Sequence, residues 1–429
     1  MRHQWQLMRA GEGGSAWPLG QQGRGRYGDM SDAGFVPTHE ALTFLLSPAG
    51  GALLAELADV ELSEKTLLRE TTRLRKTYPP DIVAAALEQA ALRCKGTKFA
   101  RAGDMFFTRQ ALEQASAEVV SRYRARRFAG ARRVFDLGCG IGGDALGLAT
   151  LADVVGIDRD LIRLRMAVAN VAVYGVAERF DAVCADVLAL PFSGVDCFWA
   201  DPGRREGARR VFTLADYAPA LPALLDAVGH AAGGVKLSPG VDYRELDAVI
   251  GATPYEIEIL SVSGECREAV LWLGDLKRGE RRATLLPGEH TLEGRPAHGL
   301  VPVANPQYYL YEPDGAVVRA HLVENLALMI DASKLDEEIA YLTSNALTST
   351  PFAVAYIIDE WMPFNLKKLN RRLRELDIGE LIIKKRGFPV DPEQFRRRLR
   401  YGGGQRQITL VLTHAQGQPV AILCRRVAP

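Results

Sequence analysis

Three groups of residues in this 429-residue chain have types and spacings that chemistry can use. The first is "VFDLGCGIGGDALGLA". An apolar run ends at Leu137, Gly138, Gly140 and Gly143 follow, and a helical pattern starts near Asp144. Glycines at such a turn reach positive φ and let backbone amides approach a ligand closely. Asp158 lies 20 positions beyond Gly138, closing the next apolar run "VVGID". A carboxylate there accepts from both hydroxyls of a ribose. Dinucleotides and S-adenosylmethionine are both held by this pattern. Asp136, inside the strand end just before the glycines, separates them: it would repel a pyrophosphate, whereas it suits the cationic amino-acid end of S-adenosylmethionine.

The second group is "ADPGRR", where Asp201 and Pro202 end an apolar run and Arg204 and Arg205 follow. The Asp201 carboxylate and the Pro202 carbonyl are hydrogen-bond acceptors at the end of that run. A guanidinium can stack on a base or clamp a phosphate bidentately; the other reading is two solvated arginines. In "VKLSPG", Lys236 stands on an otherwise apolar strand, where an unpaired charge is expensive. It needs a carboxylate partner, for which Asp201 is a candidate, or a substrate contact. Trp199, within the apolar run, reads as core.

The third group is the tail. From Lys367 to Arg426 there are 15 Lys and Arg against 5 Asp and Glu, a net of about +10, clustered in "KKLNRRLR", "KKRG" and "RRRLRYGGGQR". Such clusters form either a solvated helical face or a track for a phosphate backbone. Tyr401, beside Gly402 to Gly404, is a candidate to stack on a base.

These groups need elements to hold them. Between about 132 and 276, "RVFDLG", "DVVGID", "FDAVCAD", "VDCFWAD" and "GGVKLS" alternate with helical runs, which predicts a mostly parallel, doubly wound α/β sheet. "YEIEILSVSG" and "REAVLWLG" are separated by a short turn at Gly264-Glu265 and predict an antiparallel hairpin, giving seven strands. That ending is not the usual dinucleotide-dehydrogenase order. Residues 31–125 read as a helical lead-in, including "FFTRQALEQASAEVVSRY" with Thr108 at its start, and residues 126–276 as the cofactor-binding domain. Residues 277–330 read as a linker or hairpin followed by the helix "GAVVRAHLVENLALMI". Residues 331–429 read as a small α+β module: strand, helix, strand, helix, hairpin.

Composition narrows the class. With 53 basic and 52 acidic residues the net charge is +1, so only a local patch can attract nucleic acid. The 6 cysteines show no CxxC pair and read as reduced thiols of a cytoplasmic protein, and the 7 histidines show no metal-ligand spacing. No apolar run approaches the roughly 20 residues that span a bilayer. The Gly- and Arg-rich residues 1–30 lack an apolar signal core and read as a disordered tail, with Met30 an alternative start.

Together, "DLGCGIGGDALGLA", "GIDRDLIRLRMAVANVAVYG", "VCADVLAL", "ADPGRR", "SVSGECREAVLWLG" and "IKKRGFPVDPEQFRRRL" resemble bacterial class I methyltransferases with a C-terminal THUMP-like domain. That group is similar to RNA methylases of the trimethylguanosine-synthase type, and the resemblance covers residues 35 to 429. It implies S-adenosylmethionine as methyl donor and RNA, of the structured kind, as substrate. It implies that Asp136, Gly138 and Gly140 contact the methionine part and Asp158 the ribose. Asp186 would meet the adenine amino group, with Val187 stacking nearby; the alternative for Asp186 is a cap on the following turn. Thr108 is either a contact to the cofactor carboxylate or a plain helix cap. In amino-methylating relatives an Asp-Pro-Pro-aromatic loop holds a planar nitrogen; here Gly203 and two arginines stand after Asp201-Pro202. That departure keeps two rival readings in play: a non-catalytic cofactor- and RNA-binding protein, and a methyltransferase for a protein or small molecule.

Overall fold

The computed structural model describes residues 7–9, 35–61, 63–192, 195–204 and 213–427, the first of these and Arg204 in backbone only. Two compact units emerge. One comprises Met1–Leu237, Val241–Pro254 and Trp272–Leu276; the other comprises Ser238–Gly240, Tyr255–Leu271 and Lys277–Pro429.

In the first unit, helices α1 (His39–Leu45), α2 (Pro48–Ala58), α3 (Glu64–Leu74) and α4 (Pro80–Lys95) lead in. Within the expected helical lead-in, "THEALTFLLSPAGGALLAELADV" divides at Ser47, which caps α2 ahead of Pro48. The run starting at Thr108 also breaks, into α5 (Arg109–Gln114) and α6 (Glu118–Ala125). Lysine ammoniums hold that break: Lys98 donates to the Ala115 carbonyl at 2.5 Å and Lys236 to the Gln114 carbonyl at 3.3 Å.

Strands β1 (Arg133–Leu137), β2 (Asp153–Asp158), β3 (Phe180–Cys184), β4 (Cys197–Ala200) and β5 (Ala232–Leu237) then form a parallel array in the order β3-β2-β1-β4-β5. Helices α7 (Ala145–Leu148), α8 (Leu161–Val173), α9 (Leu221–Val228) and α10 (Tyr243–Ile250) alternate with them, as the doubly wound reading requires. The order reverses between β1 and β4, so the carboxyl ends of these two strands flank the crevice where such sheets bind ligands. Beneath it the core is dense. Trp199 is 1 % exposed and packs on Trp272 with ring centroids 6.0 Å apart, and a Cβ on Gly234 would sit 2.7 Å from Trp272. The tail expected without order lies outside the described residues except for Leu7–Arg9, which pairs antiparallel with β3.

In the second unit, β6 (Tyr255–Val262) and β7 (Glu265–Leu273) form the expected antiparallel hairpin. Its two-residue loop, Ser263 (φ 52°) and Gly264 (φ 83°), has positive φ at both positions, the conformation that matches strand twist. Strand β8 (Arg281–Leu286), from the stretch read as a linker or hairpin, pairs parallel with β6 and antiparallel with β9 (His290–Gly294). The expected helix "GAVVRAHLVENLALMI" is two: α11 (Gly315–Arg319) and α12 (Val323–Met329), separated at His321 (φ 60°).

A second sheet closes the chain. Its strands are β10 (Tyr309–Pro313), β11 (Leu342–Ser344), β12 (Ala353–Pro363), β13 (Ile378–Lys385), β14 (Arg406–Ala415) and β15 (Gln418–Arg426), ordered β11-β10-β12-β15-β14-β13, with Ser333–Lys334 beyond β11. Strand β10, from the stretch read as linker, belongs to this sheet. Period-two burial divides it: Leu410 and Leu412 face helices α13 (Leu366–Glu375) and α14 (Pro392–Arg396), through Leu369, Leu373 and Phe395. Val411, Ile422 and Cys424 face the opposite cluster with Leu310 and Tyr341.

Candidate active site

The carboxyl ends of β1, β2 and β4 bring together residues that the sequence separates by up to 65 positions. Gly138 (φ 83°) and Gly140 (φ 55°) turn the chain after β1. Asp158 organises that turn: its carboxylate accepts the Gly140 amide at 2.8 Å with one oxygen and the Asp160 amide at 2.8 Å with the other. A carboxylate has about four lone-pair sites, so each oxygen keeps one for a further donor. Burial pushes the Asp158 carboxyl above its ordinary range, against the pull of those amides. Among the described residues, an added Cβ at Gly140 would meet no atom within 4 Å, and one at Gly138 would lie 3.6 Å from the Asp201 carbonyl oxygen. The space over the turn is therefore open, and the Asp201 loop borders it.

Asp136 is 1 % exposed, and neither of its carboxylate oxygens has a hydrogen-bond partner among the described residues. Burial pushes its carboxyl well above the usual range, the neighbouring Asp144 and Asp201 carboxylates add to this, and Arg124 opposes it. A buried carboxylate left without donors is costly. A ligand ammonium of the amino-acid type would fit the position and supply the donors it lacks.

Thr108 comes from the N-terminal helices. Its Oγ1 accepts the Ala111 amide at 3.2 Å, the plain cap foreseen as one of its two readings, which leaves its hydroxyl hydrogen to donate. Two buried amides that the sequence reading missed fix this segment. Gln89 pairs with both backbone groups of Phe107, at 2.9 and 2.5 Å. Asn170 pairs with both of Phe106, at 2.7 and 3.0 Å, and donates to the Ile141 carbonyl of the glycine turn at 2.9 Å. The available signal was an amide at a core-facing position of an apolar helix, since buried polar groups need designated partners.

Asp186 is exposed and caps Val187–Ala189 by accepting the Leu188 amide at 2.9 Å, while Val187 is buried. At the end of β4, Asp201 is ion-paired with Lys236 at 2.8 Å, and Lys236 also donates to Ser116 Oγ at 3.2 Å. Burial still holds the Asp201 carboxyl above its ordinary range, with Lys236 pulling the other way. Pro202 is buried behind it. A second buried pair lies alongside: Arg124, 2 % exposed, bonds to Asp144 and covers the Trp199 ring at 4.2 Å. Arg205 and the side chain of Arg204 lie outside the described residues.

No group of three or more His, Cys, Asp or Glu among the described residues could hold a metal ion, and no single helix among them is long and apolar enough to cross a membrane. The arrangement is an anionic, glycine-floored crevice, with an acceptor loop at its rim.

Comparison with known proteins gives the crevice a lineage. Residues 131–215 match the family described as RNA cap guanine-N2 methyltransferase, residues 353–426 the family described as THUMP domain-like, and residues 38–96 a domain family of unknown function. The chain is 39% identical over 312 residues to an uncharacterized S-adenosylmethionine-dependent methyltransferase of Mycobacterium tuberculosis, found in the CDC 1551 and H37Rv strains; the match covers 72% of this chain and 84% of that one. The crystal structure of a candidate methyltransferase from Porphyromonas gingivalis W83 shares the fold. It has a TM-score of 0.68 at 23% identity, over 86% of this chain and 100% of that one. At that identity and coverage, the chain belongs to the S-adenosylmethionine-dependent methyltransferases of class I fold that carry a C-terminal THUMP-like domain.

Proposed function

We propose that this methyltransferase modifies RNA and that its C-terminal sheet domain grips the RNA backbone. The observation that carries the RNA reading is the surface of α13. With about 100° between successive residues, the buried Leu369 and Leu373 and the partly buried Leu366 form the core-facing side. Lys367, Arg371 and Arg374 form one exposed flank, and no ion pair is found for them among the described residues. Like charges spaced three and four apart destabilise a helix by a few tenths of a kcal/mol per pair. Folding gains nothing from keeping them. Asn370, on the same flank, accepts the Arg400 amide at 2.7 Å and donates to the Arg398 carbonyl at 3.0 Å. That clasp lays Arg397, Arg398 and Arg400 beside the α13 stripe. The apolar residues of α13 are buried, so the patch has cations but no anchors for a membrane or a protein interface. Tyr401 contributes little to stacking: its hydroxyl accepts from Arg396 at 3.0 Å and its ring packs into the core.

Lys367→Glu with Arg371→Glu is expected to weaken binding of a fluorescein-labelled RNA hairpin at least tenfold. It should also flatten the log-affinity against log-salt slope by about two. Asn370→Ala, which removes no charge, should weaken binding by a smaller factor. Fluorescence anisotropy across a salt series checks both. An affinity indifferent to salt would point to a protein or small-molecule acceptor, and binding of the wild type to anionic vesicles instead of RNA would point to a membrane.

At the reacting end, the chain's groups divide the work. Asp136, Asp144, Asp158 and Asp201 set four carboxylates against the two cations Arg124 and Lys236, a formal excess of two negative charges. S-adenosylmethionine brings a sulfonium and an ammonium against one carboxylate, and supplies the methyl group. Asp136 takes the ammonium, the Gly138 and Gly140 turn receives the methionine chain, and the Thr108 hydroxyl donates to the carboxylate. Asp158 receives the ribose hydroxyls with its spare lone pairs. Asp186 and Val187 border the adenine. Asp201 and the Pro202 carbonyl orient an accepting nitrogen for in-line displacement, in which positioning does most of the work. Arg204, Arg205 and Lys236 remain candidate substrate contacts. Asp158→Ala is expected to lower S-adenosylmethionine affinity roughly tenfold to a hundredfold by calorimetry, because it removes both the ribose contact and the Gly140 tether. Mass spectrometry of modified nucleosides, comparing RNA from a strain lacking the gene with its parent, tests the reading as a whole: one methylated nucleoside should be missing.

A further inference from the structure

Two buried side chains of the first unit hold polar groups without partners, and the sheet register sets them side by side. Asp136 has no donor to either carboxylate oxygen, and the Trp199 indole Nε1–H has no acceptor, among the described residues. Asp136 on β1 is the register partner of Trp199 on β4, in a parallel pair. Register partners project from the same face of a sheet, and neighbouring strands lie about 4.8 Å apart. The orphaned acceptor and the orphaned donor are therefore neighbours on one face.

The orientation of the indole follows from what crowds it. On its other side Trp199 is the register partner of Gly234 on β5. A Cβ added to Gly234 would lie 2.9 Å from both Cε3 and Cζ3 of Trp199, and 2.7 Å from Cζ3 of Trp272. The benzene edge of Trp199 thus leans over β5, where it meets Trp272. In an indole, Nε1 lies on the edge opposite Cζ3, so the N–H is turned away from β5, toward the β1 side where Asp136 stands. Arg124 covers the ring with its guanidinium 4.2 Å from the centroid. A cation over an aromatic face is drawn to its electron density, and by withdrawing that density it makes the N–H a stronger donor. A buried donor without an acceptor is costly. A hydrocarbon ring would pack on Arg124 and Trp272 without that cost, so packing alone does not account for an indole at this position.

We propose that Trp199 is a positioning residue for the methyl donor: its indole N–H serves the inner oxygen of the Asp136 carboxylate through a single bound water, leaving the outer oxygen to the ammonium of S-adenosylmethionine. The pair offers such a water an N–H for its lone pair and a carboxylate for its proton, the polar partners that a buried water requires. A carboxylate has about four lone-pair sites, so the inner contact takes nothing from the ligand. The proposal rests on the reading that Asp136 receives that ammonium. The charged groups that bear on Asp136 are Asp144 at the cap of α7, Asp158 at the end of β2, Asp201 after β4 and Arg124 from α6, and the Cys139 thiol lies in the adjoining turn. The three carboxylates and burial oppose its ionisation, and Arg124 does not outweigh them. A hydrogen bond from its sheet neighbour favours the ionised form.

The test begins with the free protein. The chain holds 5 tryptophans, so 15N-labelled tryptophan gives a simple indole spectrum, in which Trp199→Phe identifies the Trp199 signal. That signal is expected to shift as Asp136 titrates and to lose most of the shift in Asp136→Asn. By calorimetry, S-adenosylmethionine affinity should fall about tenfold in Trp199→Phe. Its acid limb should move to higher pH, because the carboxylate has lost a donor to its charged form. Trp272→Phe cuts the same aromatic stack without removing that donor and should leave the limb where it is. An indole signal that ignores pH, or that moves equally in Asp136→Asn, overturns the proposal, and so does an equal loss of affinity in both phenylalanine variants. Should Trp199→Phe fail to fold, a high-resolution crystal structure of the wild type decides. A water bonded to both Nε1 and Asp136 supports the proposal, and an indole N–H bonded elsewhere or to nothing overturns it. If Asp136→Asn binds S-adenosylmethionine as tightly as wild type, the ammonium reading falls and takes the proposal with it. If Asp136→Asn loses binding while Trp199→Phe keeps it at every pH, the proposal alone falls.

Discussion

Asp136→Asn is expected to abolish most cofactor binding while making the free protein more stable. The two effects have one cause. Asp136 is a buried carboxylate with no donor to either oxygen, surrounded by the Asp144, Asp158 and Asp201 carboxylates and offset by Arg124. In the free protein that charge is a liability, and asparagine removes it at nearly constant volume. In the complex it would be the counter-ion of the methionine ammonium. Truncating one partner of a buried charge pair costs about 2–5 kcal/mol, so S-adenosylmethionine affinity should fall by at least about 30-fold. The pH dependence has a definite sign. The folded-state carboxyl is raised above its unfolded value, so the folded chain holds the proton longer than the unfolded one. The contribution of this carboxyl to the stability of the free protein is fully present below the ordinary carboxylate range and is lost as pH climbs through the raised value. Cofactor affinity runs the other way and strengthens over the same interval, because only the ionised carboxylate attracts the ammonium. Thermal melts and calorimetry of wild type and Asp136→Asn over a pH series check both trends; in the variant both should flatten. An asparagine variant that binds S-adenosylmethionine as tightly as wild type would remove Asp136 from the site.

What the sequence made legible was local. The glycines after Leu137, the carboxylate closing "VVGID" and the alternation of strands with helices are short-range patterns, and the structure builds the predicted sheet from them. The hairpin was legible for the same reason, although its two-residue loop is Ser263-Gly264, one position before the turn read at Gly264-Glu265. The rest depends on partners far along the chain. Nothing between Gln114 and Glu118 breaks a helix by composition; the break is held by Lys98 and Lys236, and Lys236 is more than 100 residues away. Gln89 and Asn170 look like ordinary helix-surface amides until Phe106 and Phe107 are laid against them. Arg124 sits in a run of surface-like arginines, yet it is buried against Asp144 and Trp199.

Asp201→Ala is expected to reduce methyl transfer by about two to four orders of magnitude while leaving S-adenosylmethionine affinity within a few-fold, since in the proposed function the residue faces the acceptor and not the donor's binding groups. The sharper experiment is on its partner. Lys236 can act in two ways, by contacting the substrate or by keeping Asp201 ionised through their 2.8 Å pair. These make different pH profiles. Burial already holds the Asp201 carboxyl above its ordinary range in spite of Lys236. Lys236→Met removes the opposing cation and leaves a buried carboxylate alone, so its titration moves further up. If the nitrogen is oriented by ionised Asp201, the acid limb of the rate profile must shift to higher pH in Lys236→Met. Activity lost near neutrality should then return on the alkaline side. Lys236→Arg should restore most of the profile, because the charge is kept, and Ser116→Ala should move it little, because Ser116 bonds to the lysine and not to Asp201. A loss in Lys236→Met that is the same at every pH would mean that the ammonium touches the substrate itself. The acid limb in wild type would then belong to another group.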